Sequence, residues 1–201
     1  MKWHLELPLE RQKQTPFEFF ATIGNAFTPQ ECNDIIRVAY GFKKEDAKIT
    51  DTTTEKFENT YRKGAVRWLD SDHPDTHWIY RKLTDYVKLV NEKYYKWDLD
   101  YIENLQFTTY DDLADKYDKH FDHIWDTGGY RKLSFSLQLT DASLYSGADL
   151  ELYHDNVNKT IAERALGSMT FFPSFMLHKV TPLTRGKRYS LVGWVNGPPF
   201  R

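Results

Sequence analysis

The chain reads as an α+β protein whose helices come early and whose strands come late. Three observations carry that reading. Apolar residues recur at helical spacing in two segments before residue 95, and from residue 101 onward the period shortens to two. No glycine-rich nucleotide fingerprint or phosphate-cradling loop accompanies the strands. LQFTTY, LSFSLQL, DLELY, MTFF and RYSLVGWV are short, rich in aromatic and branched residues, and separated by polar or glycine-containing turns. Five such segments after a helical region predict a double-sheet barrel or sandwich rather than alternating βαβ units.

The first helix is announced by Thr28, Pro29 and Glu31, a capping box with proline at the first helical position. Cys32, Ile35, Ile36 and Ala39 then recur at helical spacing, and Gly41 supplies a stop. The polar stretch KKEDAKITDTTTEKFENT reads as a surface segment with room for one edge strand. A second helix is predicted from about Asp75 to Tyr94, with Trp78 or Ile79, Leu83, Tyr86 or Val87, Val90 and Tyr94 as its apolar stripe. Both helices would cover one face of a sheet. In LSFSLQL, Leu133, Phe135, Leu137 and Leu139 share one face, and Ser134, Ser136 and Gln138 the other. The stretch VTPLTRGK, with Pro182 and Gly186, reads as a loop or turn between strands.

The length of 201 residues suits one domain over 1–201, with its β-rich core at 101–197. A formal net charge of −2 gives no bulk electrostatic case for nucleic acid or an anionic membrane as partner. The single cysteine, Cys32, excludes an intramolecular disulfide and a cysteine metal cage, and its helix position reads as a small buried hydrophobe. The start MKWHLELPLERQKQ has no apolar leader region, and no apolar run approaches membrane-spanning length, so a cytoplasmic protein is expected. The 6 Trp, 13 Tyr and 13 Phe divide between core and pocket walls, which composition does not separate.

The chemistry concentrates in YDKHFDH. His120 and Asp122 are two residues apart, so in an extended segment an imidazole and a carboxylate point the same way. His178, in FPSFMLHKV, is the candidate third ligand from another strand. Two histidines and one carboxylate form the facial set of non-haem Fe(II) oxygenases, which leaves half an octahedron open. Each residue alone also reads as ordinary packing or surface, and Arg188, ten residues beyond His178, is what raises the metal reading. In RYSLVGWV, Arg188, Ser190, Val192 and Trp194 share a face. An arginine aimed into an apolar barrel demands a carboxylate, which a dicarboxylate cosubstrate would supply, with Ser190 adding a hydroxyl. FPSFM lacks the glycine-flanked serine of a nucleophile elbow, so no hydrolase triad is assigned.

In YDDLADKYDKHFDH, RKLSFSLQLTDASLYSGADLEL and GSMTFFPSFMLHKVTPLTRGKRYSLVGW, the chain resembles the Fe(II)/2-oxoglutarate-dependent dioxygenase superfamily, in its prolyl 4-hydroxylase-like branch. The resemblance spans about residues 104 to 196. It implies a double-stranded β-helix (jelly roll) with an N-terminal helical support layer, and Fe(II) held by His120, Asp122 and His178. It further implies Arg188 on the distal carboxylate of 2-oxoglutarate, with Tyr117 near that carboxylate or in the core. The implied reaction uses 2-oxoglutarate and O2 to hydroxylate an unactivated C–H bond, releasing succinate and CO2.

Two departures stand out. The usual glycine between the two tyrosines is absent from YDDLADKY, and the glycine-glycine-acid turn is here Gly147, Ala148 and Asp149. Asp122 is retained, against the small residue of related halogenases. Peptidyl proline or another protein side chain is the leading substrate, with a free amino acid or small metabolite as alternative; a catalytically silent jelly-roll binding module is the alternative of another class. Nucleic-acid demethylation is disfavoured by the lack of an extended basic patch. Trp125, His154, Trp68 and Trp194 are the substrate-contact candidates, each with a packing alternative, and His123 is expected to be exposed rather than ligating. Arg62, Lys63 and Arg67 form a small basic cluster that fits an acidic peptide or a solvated strand edge equally well.

Overall fold

A computed structural model describes residues 19–47, 61–123, 130–155 and 157–200. Helix α1 (Pro29–Tyr40) starts on an extended Thr28, whose Oγ1 accepts the Glu31 N–H at 3.2 Å while the Glu31 carboxylate accepts the Thr28 N–H at 2.7 Å. Cys32, Ile35 and Ala39 form its buried stripe, and burial pushes the Cys32 thiol up to about 11, as expected of a core thiol. Helix α2 (His77–Val90) buries Ile79, Leu83, Val87 and Val90, and leaves Trp78 and Tyr86 half-buried on its flanks. It stops short of the expected Tyr94. Asn91 takes the Trp97 N–H on Oδ1 at 3.0 Å and donates Nδ2 to the Trp97 carbonyl at 2.8 Å, which turns the chain back through a wide turn over Asn91–Tyr95. No helix among the described residues is long and apolar enough to cross a membrane.

The strands are β1 (Ala21–Ile23), β2 (Glu45–Asp46), β3 (Arg62–Lys63), β4 (Ala65–Leu69), β5 (Tyr101–Ile102), β6 (Leu105–Tyr110), β7 (Lys116–His120) and β8 (Tyr130–Gln138). They continue as β9 (Tyr145–Gly147), β10 (Leu150–Tyr153), β11 (Lys159–Ile161), β12 (Met169–Pro173), β13 (His178–Val180), β14 (Leu183–Gly186) and β15 (Arg188–Gly197). Among the described residues, an eight-stranded sheet runs β1-β12-β8-β15-β6-β4-β2, with β5 beside β15, and a five-stranded sheet runs β11-β10-β13-β7-β3. Every observed pairing is antiparallel. This is the α+β jelly-roll arrangement expected, with helices on one side of the larger sheet.

Strand alternation divides the interior in two. Leu133, Phe135, Leu137, Leu191, Val195, Leu105 and Phe107 join the helical stripes in one cluster. Each such Leu or Phe contributes roughly 1.5–3 kcal/mol by leaving water. The other face of the same strands looks toward the smaller sheet, where Tyr110, Leu150, Phe172, Met176 and Val180 build a second cluster. That second face is where a site can form.

One expected loop contains a strand. Within VTPLTRGK, β14 pairs with β9, and Gly147 makes the close approach possible: with φ +70, a Cβ there would stand 2.1 Å from the Pro182 carbonyl oxygen.

Candidate active site

Adjacent pairing of β7 and β13 sets His120 directly opposite His178. Asp122 lies just past the end of β7, where its N–H is taken by the Ser174 carbonyl at 2.9 Å; the Ser174 hydroxyl in turn shares a hydrogen bond with Ser134 at 2.9 Å. The HxD segment is thereby tied to both sheets. The three side chains converge with their ligand atoms within 4.8 Å of one another.

The two imidazoles are oriented by backbone carbonyls. His120 Nδ1 lies 2.7 Å from the Asp118 oxygen, and His178 Nδ1 lies 2.9 Å from the Met176 oxygen. A carbonyl only accepts, so each Nδ1 carries a proton, and in the neutral ring each Nε2 presents a lone pair. Those Nε2 atoms face the Asp122 oxygens at 3.6 and 3.4 Å. Burial alone would raise the Asp122 pKa, but the two histidines outweigh it and hold the carboxyl well below its usual range. An anion beside two Nε2 atoms needs a shared cation, either a proton on an imidazole or a metal ion. Asp122 Oδ2 is buried and has no hydrogen-bond partner. These residues fit a divalent first-row metal, and a sulfur-free set of two imidazoles and one carboxylate suits Fe(II).

The metal-ligating side chains open on a cavity between the sheets. From the larger sheet, Arg188, Ser190, Val192 and Trp194 all line it, as their shared strand face requires. Arg188 is 1% exposed, yet no carboxylate of a described residue pairs with it. Its Nε donates to Gln138 Oε1 at 3.1 Å, and its guanidinium lies 5.5 Å from the centre of the Tyr110 ring. Burial raises the Tyr110 pKa, against the pull of Arg188 and Arg62.

Tyr117 lines the same cavity, but its ring is stacked on His120 at 3.5 Å, beneath the Arg62 guanidinium at 4.3 Å. Its hydroxyl is pushed up to about 12 by burial. The tyrosine beside Arg188 is instead Tyr110. Gln106, Thr108 and Gln138 are members of the site that the motifs did not single out. Their signal was the alternation of LQFTTY and LSFSLQL, which puts polar residues on a face that the fold buries.

The substrate candidates separate. Trp194 is in the cavity wall, with the Arg131 guanidinium 4.1 Å from its ring centre. Arg131 is itself held by Glu103 through Nε at 2.7 Å and through a terminal nitrogen at 2.6 Å. Trp68 does not line the cavity. It is 38% exposed and rests against Trp194 at 6.1 Å, while its strand neighbour Arg67 turns to the Tyr40 ring of α1. His154 is likewise apart, bonded to Thr160 at 2.7 Å in a separate aromatic groove with Phe19 and Phe175. Trp125 falls outside the described residues. His123 is half-buried rather than exposed, its Nδ1 2.9 Å from the Arg131 carbonyl, and it is outside the triad. The basic cluster disperses: Arg62 is buried and donates to Gln106 Oε1 at 3.0 Å, Arg67 is buried, and Lys63 reaches the Leu113 carbonyl at 3.2 Å. Neither a solvated strand edge nor a continuous basic patch results.

Residues 105–196 match the family model of the 2OG-Fe(II) oxygenase superfamily. Curated relatives include a PKHD-type hydroxylase of Synechococcus sp. (strain CC9311), 38% identical over 80 residues that cover 39% of this chain and 36% of the relative. Another, from Hyphomonas neptunium, is 40% identical over 87 residues, covering 41% and 38%. The chain thus spans little more than a third of the length of these relatives. Among solved structures, a Trichoplax adhaerens prolyl hydroxylase in complex with a hypoxia inducible factor oxygen degradation domain peptide fragment superposes with TM-score 0.74 at 14% identity, covering 89% of this chain and 84% of that one. A Pseudomonas putida prolyl-4-hydroxylase gives 0.70 at 17% identity, covering 90% and 94%. These likenesses establish the double-stranded β-helix fold. The matched segment, with the His-Asp-His set inside it, is similar to the 2OG-Fe(II) oxygenase superfamily and to its PKHD-type hydroxylases.

Proposed function

We propose that this protein is an Fe(II)- and 2-oxoglutarate-dependent hydroxylase acting on peptidyl proline or another protein side chain, with residues 101–197 as its catalytic core. The observation that carries the reading is the pairing, in one cavity, of a convergent His-Asp-His set with a buried arginine that no described carboxylate neutralises. His120 and His178 would hold Fe(II) through Nε2, and Asp122 through its carboxylate. When bound, Fe(II) with 2-oxoglutarate and O2 supplies oxidation of an unactivated C–H bond, coupled to release of succinate and CO2. Arg188 would receive the far carboxylate of 2-oxoglutarate, with Ser190 and Tyr110 beside it. Tyr117 and Phe172, packed on His120 and His178 at ring distances of 3.5 and 4.8 Å, keep the ligating rings in place and water away from them. Trp194, under Arg131, offers an apolar wall to the substrate.

The peptide reading draws support from the structural neighbour solved with a bound peptide, and the hydroxylase reading from the PKHD-type hydroxylases. The test reconstitutes the protein anaerobically with Fe(II), then adds 2-oxoglutarate, O2, and proline-containing peptides or free proline. Succinate should form, with one oxygen atom added to the peptide, and His178→Ala should lose metal binding and turnover together. Failure to bind or consume 2-oxoglutarate with any substrate would remove the hydroxylase reading in favour of a binding module. Modification of free amino acids alone would replace the peptidyl substrate with a small metabolite.

A further inference from the structure

We propose that Gln138 is a positioning residue that locks the Arg188 guanidinium in the orientation needed to receive the far carboxylate of a 2-oxo dicarboxylate. The inference rests on the proposed function and assigns one more side chain to the same site. A guanidinium can grip a carboxylate along either of two edges, one containing Nε and the other made of the two terminal nitrogens. Here Nε is spent on Gln138 Oε1 at 3.1 Å, and the terminal nitrogens make no hydrogen bond to a described residue. The edge left for a ligand is therefore the terminal one.

Gln138 is well placed for this task. It is 3% exposed, at the end of β8, and faces the cavity side of the sheet with Ser190 as its cross-strand partner. Its backbone is fixed on the other side, the N–H donating to Ser168 at 3.0 Å and the carbonyl accepting from Gly167 at 2.9 Å. The carboxamide cannot flip without loss. Arg188 only donates, so the amide oxygen must face it, and the amide nitrogen then meets the Glu163 carbonyl at 3.5 Å. A glutamate at this position would hold Arg188 equally well but would cancel the charge an incoming carboxylate needs. A neutral acceptor satisfies the buried Nε and leaves the positive charge uncompensated for the ligand.

The test is a calorimetric titration of Mn(II)-loaded protein with 2-oxoglutarate and, separately, with 2-oxopentanoate, which keeps the chelating end and lacks the far carboxylate. Gln138→Leu should weaken 2-oxoglutarate about 10-fold, and Gln138→Glu about 100-fold, with 2-oxopentanoate and Mn(II) affinities unchanged. In an Arg188→Met background, adding Gln138→Leu should cause no further loss, because a positioning residue has nothing left to position. Should the leucine variant fail to fold, Gln138→Met, which keeps the side chain's length and removes the amide oxygen, makes the same comparison. Full 2-oxoglutarate affinity in the Gln138 variants would overturn the positioning role and leave the hydroxylase reading intact. Equal loss of 2-oxopentanoate or of Mn(II) would also overturn it, by revealing a general packing defect. Absence of 2-oxoglutarate binding by the unaltered protein would instead overturn the proposed function.

Discussion

Two alanines occupy backbone conformations that glycine adopts more readily. Ala114 has φ +69 and Ala148 has φ +49, both in the left-handed region. They fall in the two turns where the sequence departs from the pattern of the family it resembles, YDDLADKY and Gly147-Ala148-Asp149. The chain keeps these turns and accepts the steric cost of a Cβ in each, about 1–2 kcal/mol per residue. Surrounding contacts hold the strained residues: the Ala114 N–H donates to Leu183 at 2.9 Å, and the Ala148 N–H to Pro182 at 3.2 Å. Ala114 is exposed, so its methyl contributes little packing. Ala114→Gly should therefore stabilise the protein, by about 0.5–1 kcal/mol after the extra freedom glycine gives the unfolded chain is subtracted. Chemical denaturation would register this as a higher midpoint at unchanged slope. Ala148 is fully buried in the second cluster, and the same substitution there sacrifices a packed methyl, so its gain should be smaller or reversed.

At the scale of elements, α1 shows why some segments could be read from sequence and others not. Its start is a local device, a hydroxyl and a carboxylate three residues apart, and it needs nothing remote. The same Glu31 also meets Lys82 of α2 at 2.6 Å, which ties the helices together. Burial alone would raise the Glu31 pKa, but the bonds from Lys82 and Thr28 outweigh it and the net shift is downward. A carboxylate whose folded pKa is depressed adds stability that is complete above its ordinary value of 4.5 and is lost as the pH falls through the folded value. Thr28→Ala should cost about 1 kcal/mol at neutral pH. In Glu31→Gln, denaturation midpoints should fall less between neutral and acidic pH than in the unaltered chain; a parallel decline would dismiss the coupling. Alternation in LSFSLQL and RYSLVGWV was equally local, and it identified the face bearing Arg188. What the sequence could not reveal depended on remote partners. Arg62 was drawn inward by Gln106, Trp68 turned to Trp194, and the stretch after Val180 gained a strand only because β9 lies beside it. The role of Gln138 was hidden in the same way, since its partner Arg188 is fifty residues away.

For the whole molecule, the two sheets contribute different ends of the site. His120 and His178 belong to the five-stranded sheet and Asp122 follows one of its strands, whereas Arg188, Tyr110 and Gln138 belong to the eight-stranded sheet. A metal ion would stabilise one sheet and its HxD segment; a dicarboxylate held at both ends would couple that sheet to the other. Binding to the native state alone adds stability that grows with ligand excess, about 2.7 kcal/mol at a hundredfold excess over Kd. For a chain of this size each kcal/mol corresponds to roughly 2–4 °C in Tm. Thermal unfolding should therefore rise in two steps, by roughly 5–11 °C with Mn(II) and by a similar amount with 2-oxoglutarate added, each at a hundredfold excess. Arg188→Met at the ligand concentrations set for the unaltered protein should keep the first step and lose most of the second. His178→Ala should lose both, since without the metal the cosubstrate has only one end to hold. A second step that survives in Arg188→Met would mean that the far carboxylate is held elsewhere, and the two sheets would not be linked through Arg188 by the bound dicarboxylate.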